Sequence, residues 1–568
     1  MKRTSRVLAI LLALAMLLSV TAFAAWDVYG GIDNHNSVVT NAPTTATTTA
    51  LNSYIDLSNG GRGWDGVDNV PVMETVDGVT YAYVLYDGYS SYGGQLAKIN
   101  CSAATPYVVW HKQISASSGF QLSTPYLDTT NRAIYIGASN ASVYNNVAIS
   151  SPVALTAGTA GTVTIDGLTL LTAANRVSVP VYVGHTSVAD RGTLTTEGTA
   201  TIQLGGTAVN LTLSATQSSS GTTYKIYEQA TYDADGEVNG YDYYYYINHS
   251  VTASSTENAT LSISVTLNGT GTITSVSMFA NKGAVTKITG IDSTDASGVT
   301  LTSVISSVNG QINTPITRYG DYIYFGTWSG NSQMQYYQVQ INNSSFTVAT
   351  TDGNNAGFYW AGAVQLGDYI YFGGDSGYLY YQEELGFGET GGSVTLPSGA
   401  GNVRSTIMTD GTYLYFTSQG GYLWCYKPNA STGAPEFQWS AKLDGTSTST
   451  PTKVGDRIYV GVYTGFNKGG VQCVSASTHA VKDVIAVTDK NNFPVQCSIV
   501  VKGDGTGTDY VFFNTNASNG RGFCYSYNGS TATQQWASRS DTYALGGMAC
   551  DNGIIVFGND YDHLYVVK

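Results

Sequence analysis

The densest set of groups able to do chemistry is the string TYDADGEVNGYD, residues 231 to 242. Asp233, Asp235, Glu237, Asn239 and Asp242 are hard oxygen donors. Asp233, Asp235, Gly236, Val238, Asn239 and Asp242 fall at positions 3, 5, 6, 8, 9 and 12 of a twelve-residue calcium loop. The first ligand position is Thr231, the last is Asp instead of Glu, and the flanks KIYEQA and YYYYIN are strand-like where such a loop is framed by helices. Calcium at these five residues and a plain polar hairpin turn both account for the string. Several like charges are costly to desolvate without a metal or cationic partners, so the turn is expected to face solvent. The tyrosines that follow, Tyr243 to Tyr246, must alternate between the two faces of a strand. Tyr243 and Tyr245 are therefore candidate stacking surfaces for a sugar ring, beside Asn239 and Asp242. The competing reading is that these rings pack between strands.

Other catalytic patterns are sparse. GGDSG (373 to 377) is similar to the nucleophile loop of trypsin-like proteases, but it fills a turn position that SQGG and NDYD occupy elsewhere in the chain. The six histidines, at 35, 111, 185, 249, 479 and 563, are far apart, and neither H-E-x-x-H nor G-x-S-x-G occurs. The six cysteines, at 101, 425, 473, 497, 524 and 550, form no adjacent pair and no C-x-x-C, which leaves metal and redox motifs unsupported. Five of them follow residue 420, so disulfides between neighbouring repeats and simple burial in strands both stay open. No catalytic or cofactor-binding residue is assigned and no enzyme activity is expected.

Lys2, Arg3 and Arg6, the apolar run Val7 to Leu18 and Ala22-Phe23-Ala24 have the pattern of a secretory signal peptide cleaved after Ala24. The run is too short to span a bilayer comfortably. Cleavage would leave 544 of 568 residues, and losing three positive charges takes the formal net charge from −14 to −17. Nucleic acid is a poor partner for such a surface. The expected protein is secreted, with no membrane span after cleavage. Charged residues are only 11%, against 65 Gly and 43 Tyr, a composition that suits an extracellular β-protein with many tight turns.

Those turns separate a repeat. DYIYFG occurs at 321 to 326 and again at 368 to 373, with TYLYFT at 412, DRIYVG at 456, and weaker copies TYAYVL at 80, RAIYIG at 132, DYVFFN at 509 and GIIVFG at 553. The fourth positions are Tyr83, Tyr135, Tyr324, Tyr371, Tyr415, Tyr459, Phe512 and Val556, spaced in the middle forties apart from one step of 189. That period fits a four-stranded propeller blade. The flanks repeat too. VPV, STP, NTP, RST and STP precede the motif at 70, 123, 313, 404 and 449; GDSGYLYY, SQGGYLWC and NDYDHLYV follow at 374, 418 and 559, with Gly377, Gly421 and Asp562 at equivalent turn positions. A last strand carries Trp110, Trp439 or Trp536.

With S-x-P, an apolar strand ending I/V-Y-x-G, then D/G-G-x-L-Y and Trp, the chain resembles the PQQ-like β-propeller repeat family over perhaps 400 residues. The lead-in WDVYGGIDNHNSVVTNAP (26 to 43) is similar to the segment before the first blade in exported members. The resemblance implies fold more than function, since such blades serve assembly factors, dehydrogenases and surface proteins alike. Its dehydrogenase members use an adjacent cysteine pair beside the quinone; none is present here, so PQQ is not expected and no cofactor beyond the calcium alternative is.

The expected fold is all-β: a β-propeller of about eight four-stranded blades, seven being the alternative, with an inserted β-sandwich domain. The chain ends ten residues after Gly558, too soon for a fourth strand, so LNSYIDL (51 to 57) is expected to close the ring, with Tyr54 in place of Trp. The long step leaves about 145 extra residues, rich in patterns such as GTVTIDGLTLL and ATLSISVTL, read as seven to nine sandwich strands. The boundaries are signal peptide 1–24, lead-in 25–50, blades 51–139, inserted domain 140–280 and blades 281–568. The expected function is non-enzymatic: an extracellular binding or scaffold protein whose insert recognises carbohydrate, cell wall or an extracellular protein. A protein assembly factor and an enzyme with its site in the central funnel are the alternatives.

Overall fold

The computed structural model describes residues 25–568 except 58–65, 89–92, 115–122, 171–173, 192–193, 195, 206, 214–225, 233–237, 253–256, 329–333, 350–355, 376, 466–467 and 488–492. It divides into two compact units, residues 1–140 with 283–568, and residues 141–282.

The first unit is an eight-bladed propeller. Blade 1 holds Val72–Val76, Val79–Gly88, Gly93–Asn100 and Tyr107–Gln113 in order from the inside outwards. Blade 2 is built on Tyr126–Asp128. The inner strands of blades 3 to 8 are Thr317–Tyr319, Val364–Leu366, Met408–Thr409, Thr452–Val454, Val500–Lys502 and Ala549–Asp551. The outer strand of blade 8 comes from the other end of the chain: Ile55 pairs with Leu564 and Asp56 with His563. Tyr54 stacks on His563 at 3.9 Å between ring centroids.

Each part of the repeat has a physical reason. The fourth motif position is a buried ring or aliphatic side chain in every blade, and buried tyrosine hydroxyls need partners. Tyr83 donates to Glu74 at 2.8 Å and Tyr459 to Asp509 at 2.6 Å. Arg132 of blade 2 grips Glu74 of blade 1, and Arg457 of blade 6 grips Asp509 of blade 7, so the hydroxyl sites also join neighbouring blades. The glycine that ends the motif makes room for the next blade. A Cβ on Gly373 would come within 2.2 Å of Val403, and one on Gly558 within 2.3 Å of Val67. Gly377, Gly421 and Asp562 all take positive φ, at +74°, +76° and +58°, the conformation their shared turn requires.

The lead-in runs along the inner strands of all eight blades. Met73 N–H donates to Trp26 O, Leu127 N–H to Asp27 O, the Tyr319 hydroxyl to Asp33 O and Thr409 N–H to Asn34 O. The Asn36 side chain bonds both backbone groups of Lys453, Val501 N–H donates to Ser37 O, and Cys550 Sγ contacts Asn41 O. His35, fully buried, supplies the contact to blade 4. Its Nδ1 lies 2.6 Å from Tyr29 O and its Nε2 2.7 Å from Ala363 O. Gly30 permits the turn, because a Cβ there would lie 2.8 Å from the His35 backbone.

The second unit is a sandwich of two sheets, one ordered Thr207–Leu213, Gly198–Leu204, Glu257–Leu267, Gly161–Leu170, the other containing Ile226–Tyr232, Val238–Thr252, Ala174–Ser187 and Gly271–Thr289. Val181, Ile202, Ile247, Ile263 and Val265 from both sheets form its core.

All six cysteines are buried and unpaired with one another. Burial pushes the Cys101, Cys425, Cys473 and Cys497 thiols up to about 12, so they are inert packing groups. Among the described residues no helix is long and apolar enough to cross a membrane.

Replacing His35 with Ala removes a fully buried ring that bridges the Tyr29 and Ala363 carbonyls and opens a cavity. The His35→Ala variant is expected to lose about 2–4 kcal/mol of propeller stability. Guanidinium unfolding read by tryptophan fluorescence checks this, and an unchanged midpoint would show that the lead-in is not integral to the ring.

Candidate functional site

The tyrosine run does not form the expected platform. Tyr243 and Tyr245 are 1% and 0% exposed and belong to the sandwich core, and the Tyr245 hydroxyl is bonded to Thr196 O. The parity of the strand is opposite to the one a stacking surface needs: the strand from Val238 to Thr252 turns Tyr243, Tyr245 and Ile247 inward together. Tyr244 is the half-buried one, and its ring meets Tyr182 at 5.4 Å. Of the calcium-loop residues, Asp233, Asp235 and Glu237 lie outside the described residues. Asn239 is exposed and accepts a bond from Thr231 at 2.7 Å, and Asp242 meets His185 at 3.0 Å. Among the described residues no cluster of His, Cys, Asp or Glu has the geometry of a metal site.

The lead-in lines a pocket of about 430 Å³ together with Cys550, Asp551 and Asn552 of blade 8. A cavity of about 20 Å³ is lined by residues including Tyr29, Asp68, Thr124, Trp360, Gln496 and Gly546. That is room for one water molecule. Tyr29, on the lead-in side, reaches Thr450 Oγ1 at 3.3 Å.

A group of aromatic and charged side chains gathers above this cavity. In an antiparallel blade the start of the first strand and the end of the second lie at the same end. Tyr359 and Trp360 precede the inner strand of blade 4, Arg404 precedes that of blade 5, Trp328 ends the second strand of blade 3, and Asp375 sits in the turn after the second strand of blade 4. All five therefore share one face of the propeller. Arg404 holds Asp375 by two bonds, Nε to Oδ1 at 2.7 Å and a terminal nitrogen to Oδ2 at 2.6 Å. Trp328 Nε1 donates to the same Oδ2 at 3.1 Å. The guanidinium lies 4.6 Å from the centroid of Tyr359, whose ring meets Trp328 edge-on at 5.0 Å and Trp360 at 4.9 Å. The three rings are half-buried, while the Asp375 side chain is 6% exposed.

Electrostatics fix the charges. Burial costs the Arg404 guanidinium hydration, but the Asp375 carboxylate outweighs this and holds its pKa above the ordinary value. Burial, with Asp68 nearby, raises the Tyr359 phenol, which stays neutral. Trp360 has φ +57°, a conformation rare for a bulky residue and costing about 1–3 kcal/mol. Its carbonyl is held by Gly362 N–H at 2.8 Å and the Thr406 hydroxyl at 3.2 Å. None of these five side chains stands out in the sequence. The available signal is that the S-x-P flank skips blade 4, where Tyr359-Trp360-Ala361-Gly362 stands instead. Asp375 belongs to GGDSG, whose Ser376 lies outside the described residues.

No family model and no curated protein matches the sequence. Solved structures similar to this chain include a chain of the mitotic checkpoint complex, 13% identical, covering 51% of this chain and 82% of that one with a TM-score of 0.38. BamB from Moraxella catarrhalis is 12% identical, covering 46% and 83% with a TM-score of 0.29. U3-55K is 8% identical, covering 50% and 88% with a TM-score of 0.33. The chain is a β-propeller repeat protein on the strength of its own eight sheets.

Two outcomes follow. Tyr245→Ala is expected to destabilise the sandwich by about 3–5 kcal/mol, seen as new proteolytic cuts between residues 141 and 282; a resistant variant would contradict the core placement. Burial, reinforced by Asp33, pushes the Asp27 carboxyl up to about 7. A carboxyl raised in the folded state adds stability that is complete below its unfolded pKa near 4 and lost as pH rises through 7. Asp27→Asn should therefore match the parent at pH 4 and exceed it by about 2–4 kcal/mol at pH 8, measured by guanidinium unfolding at both pH values.

Proposed function

We propose that this is an exported, non-catalytic binding protein of PQQ-like repeat type, with the propeller as rigid support and its loops and insert as the contact surfaces. Carbohydrate is the leading ligand class. The observation that carries the reading is the lead-in bonded to all eight blades along the axis, with a cavity of about 20 Å³ beside Tyr29 and Trp360. The adjacent cysteine pair that would flank a quinone is missing from the sequence, which supports a reading without that cofactor. The signal-peptide pattern before Ala25 supports export.

The test passes the protein from Ala25 to Lys568 over immobilised plant and bacterial polysaccharides and extracellular proteins, followed by product analysis. Retention on a glycan without new reducing ends or consumed dye is expected. Turnover of any retained compound would overturn the non-catalytic reading, and retention on proteins alone would move it to an assembly factor.

A further inference from the structure

Within that binding reading, we propose that the channel mouth formed by Trp328, Tyr359, Trp360, Arg404 and Asp375 is a saccharide site, and that it selects neutral pyranose units over anionic ones. The proposal depends on carbohydrate being the ligand class, but it moves recognition from the insert to the propeller.

Three features support a sugar here. A pyranose presents a C–H face that stacks on an aromatic ring and hydroxyls that need fixed donors and acceptors at the ring edge. Trp328 and Trp360 flank Tyr359 at interplanar angles of 73° and 52°, with one face of Tyr359 covered by the Arg404 guanidinium. The Asp375 carboxylate and Arg404 guanidinium lie beside them. Each ring is also held before any ligand arrives: Trp328 by its bond to Asp375, Tyr359 by the guanidinium over its face, and Trp360 by a backbone anchored through its carbonyl. Preorganised aromatic groups lose little entropy on binding. The backbone strain at Trp360 is maintained by a frame that has other means of building this corner, since its equivalents Arg404 in blade 5 and Thr448 in blade 6 do not take positive φ. Strain of this kind collects at ligand clamps.

The preference for neutral units comes from charge. Asp375 already occupies two nitrogens of Arg404, and Asp68 lies close enough to act on Tyr359. One carboxylate thus already meets the guanidinium charge, and a second acts on the neighbouring Tyr359 ring. An added uronate would meet like charge in a half-buried setting, which is unfavourable. The rings are recessed rather than part of an exposed apolar patch, which suits a ring-sized ligand better than a flat protein surface.

The experiment is calorimetric titration of the protein from Ala25 to Lys568 with hexasaccharides of neutral glucose, mannose and xylose and with hexagalacturonate, together with Trp360→Gly, Trp328→Phe and Asp375→Asn. Glycine at position 360 accepts the positive φ without strain, so Trp360→Gly removes the ring while keeping the backbone, and thermal unfolding confirms the fold. Expected are binding of at least one neutral oligomer with a change in tryptophan fluorescence, at least about tenfold weaker binding by folded Trp360→Gly, equal to about 1.4 kcal/mol, and at least about tenfold weaker binding of hexagalacturonate. Neutral-oligomer binding unchanged in all three variants would overturn this site while leaving the binding reading intact. Tighter binding of hexagalacturonate would overturn the neutral preference. Failure of every oligomer to bind the parent, with capture by an extracellular protein instead, would overturn the carbohydrate class on which the proposal rests.

Discussion

A β-sheet ends in an edge of unpaired N–H and C=O groups, and this propeller is arranged around covering such edges. The outermost gap is filled when Ile55–Asp56 pairs with the strand His563–Val567, joining the two ends of the chain in one sheet. The inner edges raise a second demand, because eight first strands face the axis. The lead-in meets it with backbone bonds where it lies parallel to a strand, as at Val501, and with side chains where it crosses one, as Asn36 does at Lys453 and His35 at Ala363. Both segments that lock the ring precede residue 57. The first part of the chain can complete its pairing only after the last blade exists.

That dependence also stiffens the ring, because a segment bonded to every blade ties the blades to one another. Salt links such as Arg132 with Glu74 and Arg318 with Asp128 tie successive blades on the side where the lead-in lies. The loops of the opposite turns carry fewer obligations to the ring. In blades 3 to 5 they hold Trp328, Asp375, Tyr359, Trp360 and Arg404. A rigid frame is what allows a tryptophan to be kept at positive φ, since a looser one would relax it.

The fold was legible because repetition averages out ambiguity. One copy of DYIYFG could belong to many strands, but eight copies spaced in the middle forties apart from one long step, five of them ending in glycine where the next blade packs, leave one architecture. Ring closure followed from counting strands against the few residues after Gly558. The tyrosine run was a different case. Four identical residues carry no parity signal, so alternation could be deduced from Tyr243 to Tyr246 but not which pair faced inward. Ile247 and Val251, apolar and odd-numbered, were the only local hint, and they agree with burial of Tyr243 and Tyr245. The channel-mouth group was illegible for the complementary reason. Its members come from three blades and are brought together by the ring, and each is separately explicable as a turn residue or a strand end.

Repetition is most informative in the places where it breaks. A blade that keeps Ser or Thr at the flank places small hydroxyl groups near the axis, as Ser405, Ser449 and Ser498 do, all fully buried. Blade 4 has Ala361 at that position. Trp360 before it takes a left-handed conformation, and Gly362 is needed after it because a Cβ there would meet Thr406 Oγ1 at 2.6 Å. The same Thr406 hydroxyl then bonds the Trp360 carbonyl. Blade 5 thereby holds the irregularity of blade 4, and the neighbour whose own flank obeys the repeat is what makes the exception stable.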